Sequence, residues 1–180
     1  LLLGVLISIT WLLVSVLVSS ILEEYIGRNA LNVSKAVSLT TEIQQGLLKK
    51  NSTEIQQYAE SVRKATGAKF VVVGDHKGKR YSHPVPERIG KFMVGGDNAR
   101  ALEGGEAYIS KAVGTLGPSM RGKVPVFDDA GKVIGVVSVG YLQETVEEVT
   151  ADYLQRILLW VFILFLLGGL GTWLIARDVK

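Results

Sequence analysis

The chain has 180 residues, a formal net charge of +3 and no cysteine. This length predicts about one domain, and the lack of cysteine excludes thiolate nucleophiles and cysteine-based metal sites. The small positive charge does not indicate a nucleic-acid-binding protein. A mean hydropathy of +0.29 is high for a soluble protein, and the apolar residues are concentrated at the two ends.

Two uncharged terminal segments, residues 1–22 and 157–176, predict membrane-spanning helices. About 20 apolar residues suffice to cross the hydrocarbon core of a bilayer. A cleaved signal peptide is the alternative for the first segment, but such apolar regions run only about 7–15 residues. Arg177 and Lys180 indicate that residues 177–180 begin a cytoplasmic region, because positive residues mark cytoplasmic flanks. The residues between the spans are therefore predicted to lie outside the cytoplasm.

The central region begins with a helical pattern. Apolar residues recur at spacings of three and four over residues 22–48, which predicts a helix continuing out of the first span. The sequence "TEIQ" at 53–56 is typical of a capping box, in which Thr53 caps a second helix and Gln56 reaches back. Gly67 is predicted to end that helix.

The pattern then changes to short runs rich in β-branched residues, which predict strands. Residues 84–105 contain prolines and glycines, with one helical turn expected near residues 98–102. This order predicts an α+β domain over residues 23–141, with a mostly antiparallel sheet covered on one face by the N-terminal helices. The five predicted strands are 69–75, 80–83, 106–113, 119–127 and 132–142.

A connecting helix is predicted over residues 142–156, directly between the last strand and the second span. Its apolar stripe comprises Leu142, Val146, Val149, Tyr153 and Ile157. This stripe, a similar one at residues 22–37, and three glycines in the second span that allow close helix approach predict a homodimer. The alternative is that the stripes pack within one chain. The three glycines are Gly168, Gly169 and Gly171.

The central region lacks the spacing of known nucleophile, phosphate-loop, dinucleotide or zinc motifs. It does contain several hydrogen-bond donors that suit a ligand with several carboxylates, because arginine holds a carboxylate bidentately and lysine adds a point charge. Arg121 and Lys123 are two residues apart on a predicted strand, so they project from one face, with the backbone of Gly122 accessible between them. Arg80 and His83 converge only if their strand is broken at Pro84. Solvated surface cations are the alternative reading.

Several motifs resemble the sensor half of the citrate and C4-dicarboxylate sensor histidine kinases, the CitA/DcuS family. They are "RYSHP" (80–84), "GGDNARAL" (95–102), "GTLG" (114–117) and "MRGKVPVFDDAGKVIGVVSVGY" (120–141). The resemblance covers essentially the whole chain and implies an extracytoplasmic PAS-like domain with a five-stranded antiparallel sheet between two membrane helices. A cytoplasmic PAS domain and a kinase follow in full-length members. The resemblance implies no catalytic residue, metal site or cofactor in this part.

The resemblance also implies a ligand set. The "GTLG…RGK" pattern favours citrate over fumarate or malate, because Lys123 would reach an additional carboxylate. Thr115 stands where serine or threonine is expected, and Val72 stands where some members offer a hydroxyl. The residues that match the family's ligand contacts are Arg80, His83, Gly114, Thr115, Leu116, Arg121, Lys123 and Ser138.

The resulting hypothesis is a receptor for a carboxylate ligand. Without ligand the cations are expected to repel one another and hold the loops open; the ligand then contracts the sheet and pulls the second span along its axis. The alternatives are a C4-dicarboxylate sensor, a chemoreceptor input module, an adhesive or structural module, and a membrane-anchored enzyme that uses His83 as a general base. The enzyme lacks an identifiable nucleophile or metal set.

Overall fold

The computed structural model describes residues 2–178, and the side chains of residues 5–144 and 147–177. Leu1, Lys180 and the side chain of Val146, all of which the sequence predictions used, lie outside this description. The chain divides into two compact units, one formed by the two terminal segments and one over Glu23–Val146.

Two long helices supply the predicted membrane spans. Helix α1 covers Leu2–Ser38 and α5 covers Gln143–Asp178. Their portions Val5–Ser38 and Glu147–Arg177 are long and apolar enough to cross a membrane. The described part of each predicted span, residues 2–22 and 157–176, therefore falls within a continuous helix.

The helix predicted over residues 22–48 is interrupted after Ser38, and α2 begins at Thr41 and ends at Leu48. Thr40 causes the interruption, because its backbone is extended (φ −80°, ψ 144°) and its hydroxyl donates to the Val37 carbonyl at 2.9 Å. A hydroxyl bonded to the preceding turn in this way satisfies an acceptor that a continuing helix would otherwise use.

Helix α3 covers Ser52–Thr66 and corrects the predicted capping box. Asn51, not Thr53, is the N-cap, since its side-chain oxygen accepts the Glu54 N–H at 3.3 Å. Gly67 ends the helix with φ 68°, as predicted, because glycine adopts this left-handed conformation without steric cost.

In the described part of the chain the sheet is antiparallel and has four strands in the order β1-β4-β3-β2. The α+β prediction is confirmed, and the predicted helical turn is the short helix α4 (Ala99–Leu102). The strands are β1 (Phe70–Asp75), β2 (Tyr108–Gly114), β3 (Gly117–Phe127) and β4 (Val133–Leu142).

The fifth predicted strand, residues 80–83, is replaced by an irregular segment with one isolated bridge from Arg80 to Gly74. Along the outer edge of β1, the Ser82 hydroxyl accepts the Val73 N–H at 2.8 Å and donates to the Val71 carbonyl at 3.1 Å. A side chain therefore occupies the place of a neighbouring backbone, and the ladder cannot continue. Pro84 follows, which has no N–H to donate.

The hydrophobic core lies between the N-terminal helices and one face of the sheet, as predicted. Its members come from all three helices and from β1, β3 and β4, and alternate strand residues point toward it because strand side chains alternate in direction. Among them are Val37, Ile43, Leu47, Ile55, Val71, Val73, Val126, Val137 and Val139. A smaller apolar cluster of Ala101, Tyr108 and Val136 lies elsewhere in the domain.

Gly122 allows α1 to pack directly against β3. A Cβ atom at this position would lie 2.3 Å from the backbone N and Cα of Leu31. The hydroxyl of Ser34 also lies 2.9 Å from the Gly122 carbonyl oxygen and accepts the Val139 N–H at 3.1 Å. The Gly122 backbone is therefore covered by a helix, which corrects the prediction that it would be accessible.

The same packing accounts for part of the apolar stripe at residues 22–37. Ala30 and Val37 are both buried within the domain. For these residues the alternative holds, since the stripe packs within one chain. The homodimer stays a prediction, and Ala30 and Val37 do not contribute to it.

We expect Gly122→Ala to destabilise the domain by about 1–3 kcal/mol, because the new methyl group has to push the α1 backbone away from β3. Val113→Ala on the neighbouring strand is the control, since the Val113 side chain is 66% exposed. Thermal unfolding of the chain in detergent micelles, followed by circular dichroism, measures both. A melting temperature of Gly122→Ala that matches that of Val113→Ala would contradict this packing.

Candidate functional site

A pocket lies against the sheet where β1, β3 and β4 meet the β2–β3 hairpin. It surrounds about 350 Å³ of empty space, part of it open to solvent. Every predicted ligand-contact residue except Lys123 lines it, and Val72 does so as well. The lining residues that the sequence predictions missed are Phe70, Met93, Val94, Gly117 and Ser119.

Helix α3 holds the irregular segment that carries Arg80 and His83. The Gln56 side chain accepts the His83 N–H at 2.9 Å and donates to the His83 carbonyl at 3.1 Å. The Ser52 hydroxyl donates to the Tyr81 carbonyl at 3.2 Å. Gln56, predicted to close a capping box, instead fixes the backbone of a pocket residue. The break before Pro84 that the convergence of Arg80 and His83 required is present.

The His83 ring connects this segment to the hairpin tip. Its Nδ1 accepts the Val85 N–H at 2.9 Å, and its Nε2 lies 2.9 Å from the Thr115 hydroxyl. The neutral ring with a proton on Nε2 satisfies both contacts, whereas a protonated ring would direct Nδ1–H to the Val85 carbonyl, 3.1 Å away. Burial, and then the charge of Arg80, lower the pKa of His83 below its usual 6.5.

The two pocket arginines are both buried, each with 4% of its surface exposed. Burial is the main cause that lowers the pKa of each guanidinium, and Arg88 adds to the effect at Arg80. Arg121 Nη2 donates to the Ala112 carbonyl at 2.8 Å and to the Ser119 hydroxyl at 2.7 Å. These bonds hold the guanidinium against the β2–β3 pair.

Lys123 is fully buried beside the pocket and does not line it. Its ammonium group donates to the Asn98 side-chain oxygen and lies 3.2 Å from Asp97 Oδ1. Burial lowers the pKa of Lys123 to about 8, against the opposing effect of Asp97. Two side chains of the segment 97–98 cover the ammonium group in this arrangement, and the ligand contact of Lys123 stays a prediction.

Asp97 is the charged residue that the sequence predictions missed. Its Oδ1 lies between the two cations of β3, 3.5 Å from Arg121 Nη1 and 3.2 Å from Lys123 Nζ. Its Oδ2 accepts the Ser110 hydroxyl at 2.6 Å. Burial by itself raises the pKa of Asp97, but Ser110 and the two cations outweigh burial and hold that pKa below its usual value.

Three buried polar atoms at the site lack a hydrogen-bond partner among the described residues, namely Arg121 Nε, Asp97 Oδ1 and Ser138 Oγ. Buried polar atoms are normally paired, so Arg121 Nε and Ser138 Oγ are available to a polar ligand, whereas Asp97 Oδ1 can only accept and already faces Arg121 and Lys123. Arg80, Arg121 and Lys123 also outnumber the single carboxylate of Asp97. The arrangement therefore favours an anion that can accept hydrogen bonds.

Comparison with known proteins supports the same family. The single cache domain 3 family matches residues 17–155. The chain is 54% identical over 160 residues to the sensor protein CitS of Halalkalibacterium halodurans and 34% identical over 163 residues to the sensor histidine kinase CitA of Klebsiella pneumoniae. These matches cover 88% and 91% of the chain.

A solved structure agrees with the fold. The DcuS sensor domain of Escherichia coli superposes with a TM-score of 0.69 at 35% identity, over 73% of this chain and 98% of that domain. The chain spans about 30% of the length of the curated relatives it matches. The chain belongs to the single cache domain 3 family and corresponds to the sensory region of the CitA/DcuS family of sensor proteins, with two helices long and apolar enough to cross a membrane.

Proposed function

We propose that this domain binds citrate outside the cytoplasm and that binding regulates a histidine kinase on the other side of the membrane. The observation that carries the proposal is the gathering of Arg80, His83 and Arg121, all buried, around one pocket that also contains the unpaired Ser138 hydroxyl. The relatives supply the context, because CitS and CitA are named as a sensor protein and a sensor histidine kinase.

Citrate fits this donor set because it carries three carboxylates and a hydroxyl. In the proposed complex the Arg80 guanidinium binds one carboxylate, and the unpaired Nε of Arg121 binds a second. His83 and Thr115 also contact the ligand in this complex, since His83 Nε2 and the Thr115 hydroxyl lie together at the pocket. The Ser138 hydroxyl, on β4, donates a hydrogen bond to the ligand in this complex. A dicarboxylate such as fumarate or malate would leave some of these hydrogen-bond donors without a carboxylate partner.

We expect Arg80→Ala to weaken citrate binding by about 10- to 100-fold, because a hydrogen bond to a charged group contributes roughly 1.5–3 kcal/mol. Lys132→Ala is the matched control, since Lys132 is exposed and lies in the β3–β4 connection. Calorimetric titration of the chain in micelles with citrate, isocitrate, malate and fumarate measures all three proteins. Equal losses in both variants would mean that overall charge, and not this pocket, attracts the anion.

The same complex predicts tighter binding at pH 6 than at pH 8. Burial and Arg80 lower the pKa of His83 in the protein, and a carboxylate bound beside the ring would raise it. Binding then takes up a proton, so affinity rises as the pH falls through the pKa of the complex and levels off below the pKa of the free protein. Each unit between the two pKa values allows at most about a tenfold change in affinity.

His83→Gln is expected to flatten this pH profile by several fold between pH 8 and pH 6. Protonation of citrate, and of Lys123 with its pKa of about 8, is common to wild type and variant. The difference between the two profiles measured by calorimetry therefore isolates His83. Parallel profiles would rule out its protonation on binding.

Transmission to the membrane is proposed to follow the covalent path from β4 to α5. Ser138 lies on β4, which ends at Leu142, and α5 begins at the next residue, Gln143. A strand that moves toward a bound ligand would therefore draw the start of α5 with it. A ligand shifts this equilibrium only by its difference in affinity for the two arrangements. We also expect the full-length protein to act as a homodimer.

A spin label at position 158 is expected to change its depth in the bilayer when citrate binds, because a displaced α5 carries the label along the membrane normal. Power-saturation electron paramagnetic resonance in nanodiscs measures this depth. The same label in Arg80→Ala is the control and should not respond to citrate at the wild-type binding concentration. Unchanged depth and mobility in a citrate-saturated wild-type chain would eliminate this route of transmission.

A further inference from the structure

The carboxylate of Asp97 contacts the same two cations that a ligand carboxylate would need. We propose that Asp97 is a tethered competitor, which binds Arg121 and Lys123 and has to leave them before an external carboxylate can bind there. Asp97 thereby sets the affinity of the site. This inference rests on the proposed binding of citrate or a similar carboxylate.

The position of the Asp97 carboxylate is that of a bound anion. Its side chain is only 13% exposed, and Oδ1 lies 3.2 Å from Lys123 Nζ and 3.5 Å from Arg121 Nη1. The two cations hold that oxygen chiefly by charge, since both distances are longer than those of an ordinary charge-assisted hydrogen bond. An attraction of this kind is available equally to a carboxylate that is not part of the chain.

Asp97 also accounts for the exclusion of Lys123 from the pocket. The lysine side chain has no exposed surface, and its ammonium group contacts Asp97 and Asn98. A ligand carboxylate that reaches Lys123 must therefore take the place of these side chains. Without that exchange, Lys123 contributes to binding only through its charge at a distance.

Gly95 allows the backbone next to Asp97 to lie close to the Arg121 guanidinium. A Cβ atom at Gly95 would lie 2.7 Å from Asp97 Oδ1 and 3.0 Å from Arg121 Nη1. Gly95 and Gly96 have φ values of 124° and 68°, which other residues rarely adopt. The two glycines thus allow the carboxylate to reach Arg121 and leave the segment before it free of side chains that would block its withdrawal.

Apart from the two cations, two hydroxyl groups of the described residues hold Asp97 in place. The Ser110 hydroxyl donates to Oδ2 at 2.6 Å, and the Tyr108 hydroxyl donates to the Asp97 carbonyl. If the site accepts ligand only when Asp97 has withdrawn, the apparent dissociation constant is the intrinsic one divided by the fraction of molecules in which Asp97 is withdrawn. Any change that loosens Asp97 should therefore tighten ligand binding.

Asp97→Asn tests this directly, because asparagine keeps the size of the side chain and removes its charge. We expect the dissociation constant for citrate to fall by about tenfold, which corresponds to about 1.4 kcal/mol. Ser110→Ala keeps all charges and removes one hydrogen bond to Asp97, so a smaller gain of about threefold is expected. Asp129→Asn, at an exposed position in the β3–β4 connection, is the charge-matched control and should leave affinity unchanged.

Calorimetric titration of the chain in micelles with citrate and fumarate measures each variant, and thermal unfolding checks its folding. A gain in Asp97→Asn with a smaller gain in Ser110→Ala supports the proposal, since damage to the structure would weaken binding. Affinity that is unchanged or weaker in folded Asp97→Asn overturns it while the proposed function stands. If Asp97→Asn does not fold, the direction of change in Ser110→Ala decides.

A failure of the proposed function gives a different result from a failure of the Asp97 proposal alone. If neither the wild-type chain nor any variant binds citrate or fumarate, both the function and the role of Asp97 are overturned. If only Asp97→Asn binds, the competition is supported, and the natural ligand is then a stronger anion than those two carboxylates.

Discussion

The burial of three cationic side chains near one another constrains everything else at this site. Taking a charged group out of water costs several kcal/mol after the protein relaxes, and neighbouring like charges add to that cost. The lowered pKa of Arg80, of Arg121 and of Lys123, the last at about 8, reflects this cost. Such a cluster requires anionic partners. Asp97 supplies one within the chain, and in the proposed complex ligand carboxylates bind Arg80 and take the place of Asp97 at Arg121 and Lys123.

The cations can be held this way because the opposite face of the sheet is closely packed. Gly122 lets the α1 backbone lie directly on β3, and Ser34 bonds to both β3 and β4 from the same helix. Strand geometry then directs Arg121 and Lys123 away from the helices. The other half of the site depends on α3, whose Gln56 fixes the backbone of His83 at two points. The helices thus position the donors without entering the pocket.

Much of this arrangement follows from sequence patterns that are local. The period of apolar residues predicted the spans, the helical regions without the break after Ser38, and four of the strands, and the alternation of strand residues placed Arg121 and Lys123 on one face. What local patterns missed depends on contacts between distant residues. Ser82 completes the edge of β1 with its side chain, so residues 80–83 resemble a strand in composition only. Asp97 sits in a glycine-rich stretch that reads as a loop, and only the folded chain brings it to Lys123, 26 positions later in the sequence.

The contacts of Arg121 suggest how a change in anionic partner reaches the end of the domain. Its guanidinium donates to the Ser119 hydroxyl at 2.7 Å, and Ser119 pairs in register with Leu142, the last residue of β4. Arg121 itself pairs with Gly140. A guanidinium that turns from Asp97 toward a ligand therefore acts on the two strand pairs that immediately precede α5. Because close-packed strands do not deform continuously, such a change favours one of two discrete arrangements. The competition between Asp97 and the ligand would then set both the affinity of the site and the position of the strand end that leads into the membrane.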